Sequence, residues 1–322
     1  MIEIENLSKA FQVAKRKKGA FSSLFSRDVE TVHALNDISF SIDPGEIVGY
    51  IGPNGAGKST TIKIMSGILV PSSGKCEIMG HVPWKSRISH VRNIGVVFGQ
   101  RTQLWWDVPV LDSFNLLKDI YKVSDSHYAR SLDQLVTYLD LSHLLQTPVR
   151  QLSLGQRMRC EIAAALIHSP KILFLDEPTI GLDAVSKIAV RQFIQKINAE
   201  NKVTVVLTTH DMSDIEALAN RIILIGKGEK LYDGNLDHLK NTYLKHKRIT
   251  VDFTAPTTLS EIPGVTTLQT KGQRSVLLVD LNATNIPSVM QALTLRPDIL
   301  DISVENQPIE EIIVNLYEAH QL

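Results

Sequence analysis

The sequence predicts an α/β protein in two parts: a parallel sheet with helices on both faces, followed by a small α+β domain. Three observations carry that reading. Short apolar runs at residues 47–51 and 172–175 are separated by segments of helical period, as expected for strands buried on both faces. The first of these runs passes directly into a glycine-rich loop that opens a helix. After about Leu239 the pattern changes to shorter strand candidates around helices, so domains are expected at 1–239 and 240–322.

In chain order, residues 2–4 and 38–42 alternate apolar and polar as strands do, and Pro44-Gly45 marks a turn. Residues 15–30 interrupt the pattern with a basic run, a glycine and serines. They fit either a solvated insertion loop or a cationic loop that touches lipid headgroups or a partner, with Phe21, Leu24 and Phe25 beside it. Residues 60–68 form a helix on the spacing of Ile62, Met65 and Leu69, and residues 75–79 and 95–98 form strands. Residues 110–121 and 128–141 are helical, the second placing Tyr128, Leu132, Leu135, Val136 and Leu139 on one stripe, and they build a helical insert at about 101–160. A helix over 155–168, a strand over 172–175, a helix over 186–198 and a strand over 203–207 complete the first domain. In the second, strands are expected near 249–253, 275–281 and 300–304, with a helix over 286–295. A last helix carries Ile309, Ile312, Ile313, Leu316 and Tyr317 on one face, behind Pro308.

The balance of 34 Lys+Arg against 34 Asp+Glu argues against a general nucleic-acid binder. Two cysteines, Cys76 and Cys160, form no metal-ligand spacing or disulfide framework and suit a reducing cytosol. The N-terminus lacks the basic start and apolar run of a signal peptide, and no stretch approaches the ~18 apolar residues of a membrane span. The chain is therefore expected to be soluble by itself and to reach a membrane only through a partner.

Gly52-Pro53-Asn54-Gly55-Ala56-Gly57-Lys58-Ser59-Thr60 fits G-x-x-x-x-G-K-[ST] between a strand and a helix. Backbone N–H groups converge there with the positive end of the helix, which suits a polyphosphate. Lys58 is expected to neutralise the β- and γ-phosphates and Ser59 to ligate Mg²⁺. That loop specifies a nucleoside triphosphate and nothing finer. The run Ile172-Leu173-Phe174-Leu175-Asp176-Glu177 adds two carboxylates at the end of a buried strand. Asp176 is expected to hold Mg²⁺ and Glu177 to act as general base on the attacking water.

With these motifs the chain resembles the ATP-binding cassette family over roughly residues 1–235. Leu152-Ser153-Leu154-Gly155-Gln156 is similar to that family's LSGGQ signature, with Leu154 where glycine is usual. The resemblance implies a P-loop NTPase fold and two ATP molecules with Mg²⁺ sandwiched between two copies of the chain. In that arrangement Asn54, Gly55, Ala56, Gly57, Lys58, Ser59 and Thr60 of one copy hold each ATP, and Ser153, Gly155 and Gln156 of the other reach it. Gln100 resembles the glutamine that senses Mg²⁺ and water, Asp183 in Gly181-Leu182-Asp183 the loop that crosses between subunits, and His210 the switch histidine on the γ-phosphate. Phe11 resembles the aromatic that stacks on adenine, with a plain core phenylalanine as the other reading.

Leu104-Trp105-Trp106-Asp107-Val108-Pro109 follows Gln100 in a loop. Its adjacent tryptophans either cap the helical insert or line a groove for a coupling helix of a membrane subunit, which in this family docks beside Gln100. The resemblance implies an ATPase subunit of a transporter, closest to exporters with separate six-span permeases, peripheral on the inner face of the cell membrane and without nucleic acid. The alternative is a cassette ATPase that works with a soluble partner such as an iron–sulfur assembly scaffold. A nucleic-acid-directed cassette would want a second cassette or a coiled-coil arm, and a non-hydrolysing regulator would lack Glu177.

Overall fold

The computed structural model describes residues 1–14, 29–99, 101–243, 245–257, 259 and 261–319. The chain divides into two compact units, Met1–Gly234 and Asn235–Leu322. In the first, β1 (Ile2–Ala14), β2 (Val29–Ile42), β3 (Ile47–Ile51), α1 (Lys58–Met65), β4 (Ser73–Ile78), α2 (Arg87–Val91) and β5 (Ile94–Phe98) are followed by α3 (Val110–Tyr121), α4 (Asp125–Leu139) and α5 (Leu154–Leu166). Then come β6 (Ile172–Asp176), α6 (Ala184–Asn201), β7 (Thr204–Thr208), α7 (Met212–Leu218), β8 (Arg221–Gly226) and β9 (Glu229–Asn235).

β1 runs ten residues beyond the stretch that alternation marks, because bulges between Ile4 and Leu7, Leu7 and Lys9, and Lys9 and Ala10 break the period of two. Asn6 and Asp37 take left-handed backbone at that irregularity and join through Asn6 Nδ2 to Asp37 Oδ1 at 2.6 Å. β1 is the centre of an antiparallel sheet ordered β2-β1-β4. The basic insertion, with Phe21, Leu24 and Phe25, lies outside the described residues apart from its last positions in β2.

The main sheet has the order β5-β6-β7-β3-β8-β9, and β5 through β8 pair in parallel. Its parallel strands are largely apolar because both faces are covered, as the residue pattern predicts, whereas the edge strand β9 is polar and partly exposed. β3 and β6, both ending in chemically active loops, flank β7, so their carboxyl ends open at one edge of the sheet. That is where ligands bind in open parallel sheets. Beneath it Tyr50 is wholly buried, with its hydroxyl 3.0 Å from Thr61 Oγ1; burial pushes the phenol's pKa up. The helix expected over 60–68 begins earlier, at Lys58, and ends at Met65. The helical insert packs α3 and α4 on α5, and α3 has the bounds that its period predicts.

The second unit contains α8 (Leu236–Tyr243), β10 (His246–Phe253), β11 (Val265–Lys271), β12 (Arg274–Asp280), α9 (Ile286–Thr294), β13 (Ile299–Asn306) and α10 (Ile309–Ala319). Its antiparallel sheet has the order β11-β12-β10-β13. Ile249, Val251 and Phe253 alternate inward along β10 to meet Val289 and Leu293 of α9. Ile309, Ile312, Ile313 and Leu316 form the buried stripe of α10. β11 escapes sequence reading because it is a polar, largely exposed edge strand with no alternation to mark it.

Candidate active site

β3 carries the chain to Gly52, and the loop closes through the Ala56 N–H to the Pro53 carbonyl at 3.1 Å. Gly57 caps α1 with φ 108°, and a methyl on it would come 2.6 Å from the Ala34 carbonyl oxygen, so only glycine fits. Gly57 supplies no side-chain cap, which leaves the first-turn N–H groups of α1 available to an anion. Lys58 folds back across the loop and donates to the carbonyls of Gly52 at 2.6 Å and Pro53 at 3.2 Å. Burial lowers the pKa of its ammonium, against the opposing pull of Glu177 and Asp176.

The acidic wall is built from β6 and β7. Asp176 pairs in register with Thr208, whose hydroxyl donates to Asp176 Oδ1 at 2.5 Å, and Ser59 Oγ lies 3.4 Å from the same oxygen. Glu177 turns out of the strand with φ 56°, held by its N–H to the Thr208 carbonyl at 2.9 Å. His210 Nδ1 stands 2.8 Å from Glu177 Oε2. Gly99 at the end of β5 donates its N–H to the Asp176 carbonyl at 2.7 Å.

These walls enclose an open cleft of about 770 Å³. It brings together Asn54, Gly55, Gly57, Lys58, Ser59, Thr60, Asp176, Glu177 and His210. Ala56 is buried beneath the loop, and Gln100 lies outside the described residues. Phe11 does not line the cleft: it is half-buried on β1 with the Lys9 ammonium 5.1 Å above its ring. Thr208 and Arg101 also belong to the site and stand outside its sequence motifs. The signal for Thr208 is a hydroxyl closing an apolar strand; Arg101 has none. The Ser59 hydroxyl and Asp176 carboxylate form a hard-oxygen pair, the donor chemistry that Mg²⁺ takes beside a phosphate.

Ser153 caps α5 instead. Its Oγ accepts the Gln156 N–H at 3.2 Å while Gln156 Oε1 accepts the Ser153 N–H at 2.9 Å, a reciprocal capping box. Gly155 packs against Ser186 so closely that a methyl would overlap its hydroxyl. Asp183 caps α6 by accepting both the N–H and the hydroxyl of Ser186 at 2.9 Å. Leu154 is 37% exposed and its Cδ2 lies over Gly181, where a methyl would come within 2.9 Å of it, so the leucine sits beside the capping box and leaves it intact. Ser153, Gly155, Gln156 and Asp183 thus form a second patch, and none of them lines the cleft.

The family described as "ABC transporter" matches residues 35–180. The ABC transporter ATP-binding protein NatA of Bacillus subtilis (strain 168) is 33% identical over 218 residues, covering 68% of this chain and 88% of that protein. The bacitracin transport ATP-binding protein BcrA of Bacillus licheniformis is 32% identical over 218 residues, 66% of this chain and 68% of that one. ABC transporter A family member 1 of Dictyostelium discoideum is 31% identical over 253 residues, 79% of this chain, which spans only 28% of that protein. Among solved structures, the dimeric post-hydrolysis state of the ATP-binding cassette MJ0796 bound to ADP and Pi superposes with a TM-score of 0.62 at 27% identity. The match covers 73% of this chain and 99% of that one.

Proposed function

This chain belongs to the ABC transporter family as an ATP-binding ATPase cassette, and from that premise we propose that it powers a transporter by closing with a second copy of itself on two ATP molecules. One observation carries the reading: the Lys58 loop and Ser153 each stand at a helix N-terminus, where the helix favours an anion, and one chain does not bring the two together. A second copy supplies the missing half of each site.

Within each site Lys58 and the N–H groups of residues Asn54 to Thr60 bind the phosphates. Ser59 and Asp176, with Gln100, hold Mg²⁺, which when bound offsets phosphate charge. Glu177 Oε2 takes the proton of the attacking water, and His210, 2.8 Å away, orients that carboxylate and reaches the γ-phosphate. Ser153 and the Gly155 N–H of the partner close over the phosphate from the other side, with Asp183 beside them.

Mixing two inactive variants tests the shared site. Lys58→Ala and Ser153→Ala chains each lack a component of both sites in a homodimer, whereas their heterodimer has one complete site. With random pairing the mixture recovers up to about a quarter of the wild-type ATPase rate. No recovery on mixing rejects the composite site.

The output surface is the loop after Gln100. Trp105 and Trp106 are 41% and 48% exposed, and Arg157 of α5 lies 5.8 Å from the Trp106 ring. We assign residues 100–109 to a groove for the coupling helix of a separate six-span permease, which places the chain on the inner face of a membrane. Relatives named for transport of bacitracin and lantibiotics support the exporter branch. No helix among the described residues is long and apolar enough to cross a membrane. Changing both tryptophans to alanine is expected to weaken capture of the permease from detergent extracts by about ten-fold or more. Undiminished capture removes this surface.

A further inference from the structure

Glu161 is buried, only 4% exposed, and takes no part in the chemistry above. It lies on α5, eight residues beyond Ser153 or about 12 Å along the helix. Both of its carboxylate oxygens are engaged by one short segment. Oε1 accepts the Thr102 hydroxyl and Oε2 accepts the Gln103 N–H at 3.1 Å. The Glu161 carbonyl also accepts Gln103 Nε2 at 3.0 Å, and Thr102 Oγ1 accepts the Leu104 N–H at 3.1 Å. Burial pushes the Glu161 carboxyl's pKa up, and the bonds from Thr102 and Gln103 oppose that shift. A carboxyl in such a place is costly unless these donors stay where they are.

Immediately upstream, Gly99 is tied to β6 through its N–H to the Asp176 carbonyl. The chain therefore has two anchors in quick succession. One is on the strand that carries Asp176 and Glu177; the other is on the helix that Ser153 caps. Only residues 100 and 101 separate them in sequence.

We propose that Glu161 is a positioning residue: it binds segment 102–104 to α5, so that the loop and the Ser153 end of the helix move as one body and Ser153 is held ready for the partner's nucleotide. This rests on the composite ATP site proposed above. No residue of α5 lines the chain's own cleft, so loosening the tie acts on closure between copies and leaves nucleotide binding to one copy alone.

The test uses the full chain with Glu177→Gln as parent, measuring the ATP concentration for half-maximal dimerisation by light scattering and ADP affinity by calorimetry. Adding Glu161→Ala is expected to raise that concentration about ten-fold, with ADP affinity unchanged within about two-fold. Glu161→Gln, which keeps an acceptor for Gln103 and a polar partner for Thr102, is expected to stay within about two-fold of the parent. Thr102→Val, which removes one donor without touching α5, is expected between them at about three-fold. Parent-like dimerisation of both Glu161→Ala and Thr102→Val overturns the proposal. So does a fall in ADP affinity that matches the loss of dimerisation, which marks general damage to the fold. A parent that fails to dimerise on ATP instead rejects the composite site itself.

Discussion

Glu177→Gln is expected to lower steady-state ATP hydrolysis by about 10³-fold while ATP still binds. The substitution keeps the volume and one acceptor oxygen, so the φ 56° turn, the N–H to the Thr208 carbonyl and a contact to His210 can all survive. What it removes is basicity at the oxygen to which the proposal gives the water's proton. In the proposed cycle reopening of the dimer follows hydrolysis, so the variant is also expected to accumulate as an ATP-loaded dimer, and the same chain with ADP is expected to elute as a monomer. Single-turnover phosphate release together with gel filtration in each nucleotide checks both halves. Wild-type turnover in this variant would remove Glu177 as the base.

The second large effect is on nucleotide affinity. Lys58 spends its ammonium on two loop carbonyls in the free chain, at 2.6 and 3.2 Å, and its burial makes that charge poorly solvated. A triphosphate is a far better partner than those carbonyls, so binding gains a charge-assisted contact at little reorganisation cost. Lys58→Ala forfeits it. Hydrogen bonds between charged groups contribute about 1.5–3 kcal/mol each, so the Kd for ATP is expected to rise by about ten- to a hundred-fold or more. Folding is expected to suffer little, since the freed carbonyls of Gly52 and Pro53 face an open cleft that water can enter. Titration with a fluorescent nucleotide, beside a thermal melt, separates the two effects. An unchanged titration would contradict the phosphate cradle.

Much of the fold is legible because its cues are local. α3 has the bounds its apolar period predicts, and β3 and β6 are apolar runs that end where a glycine loop and a carboxylate pair begin. β1 and β11 are only partly legible, for opposite reasons: bulges scramble the alternation of one, and exposure removes it from the other. Within the site, Gly57, Lys58, Asp176 and Glu177 can be picked out because each sits in a contiguous motif. Thr208 offers only the cue of a hydroxyl closing an apolar strand, and Glu161, outside the site, offers none, because their partners come from distant chain. Thr208 meets Asp176 across 32 positions, and Glu161 meets Thr102 across 59.

Read locally, the chain shows the α/β class and the residue types that handle a triphosphate, since phosphate chemistry needs those groups at short, fixed spacings on one stretch of backbone; the family enters through the resemblance of its motifs. Which of these residues share a cleft is settled by the fold. It set β7 between β3 and β6, kept Phe11 off the cleft wall and put Ser153 and Asp183 on a patch of their own. Strand order and helix packing follow from burial summed over the whole unit, and no local spacing records which distant side chains that burial will bring within hydrogen-bond reach.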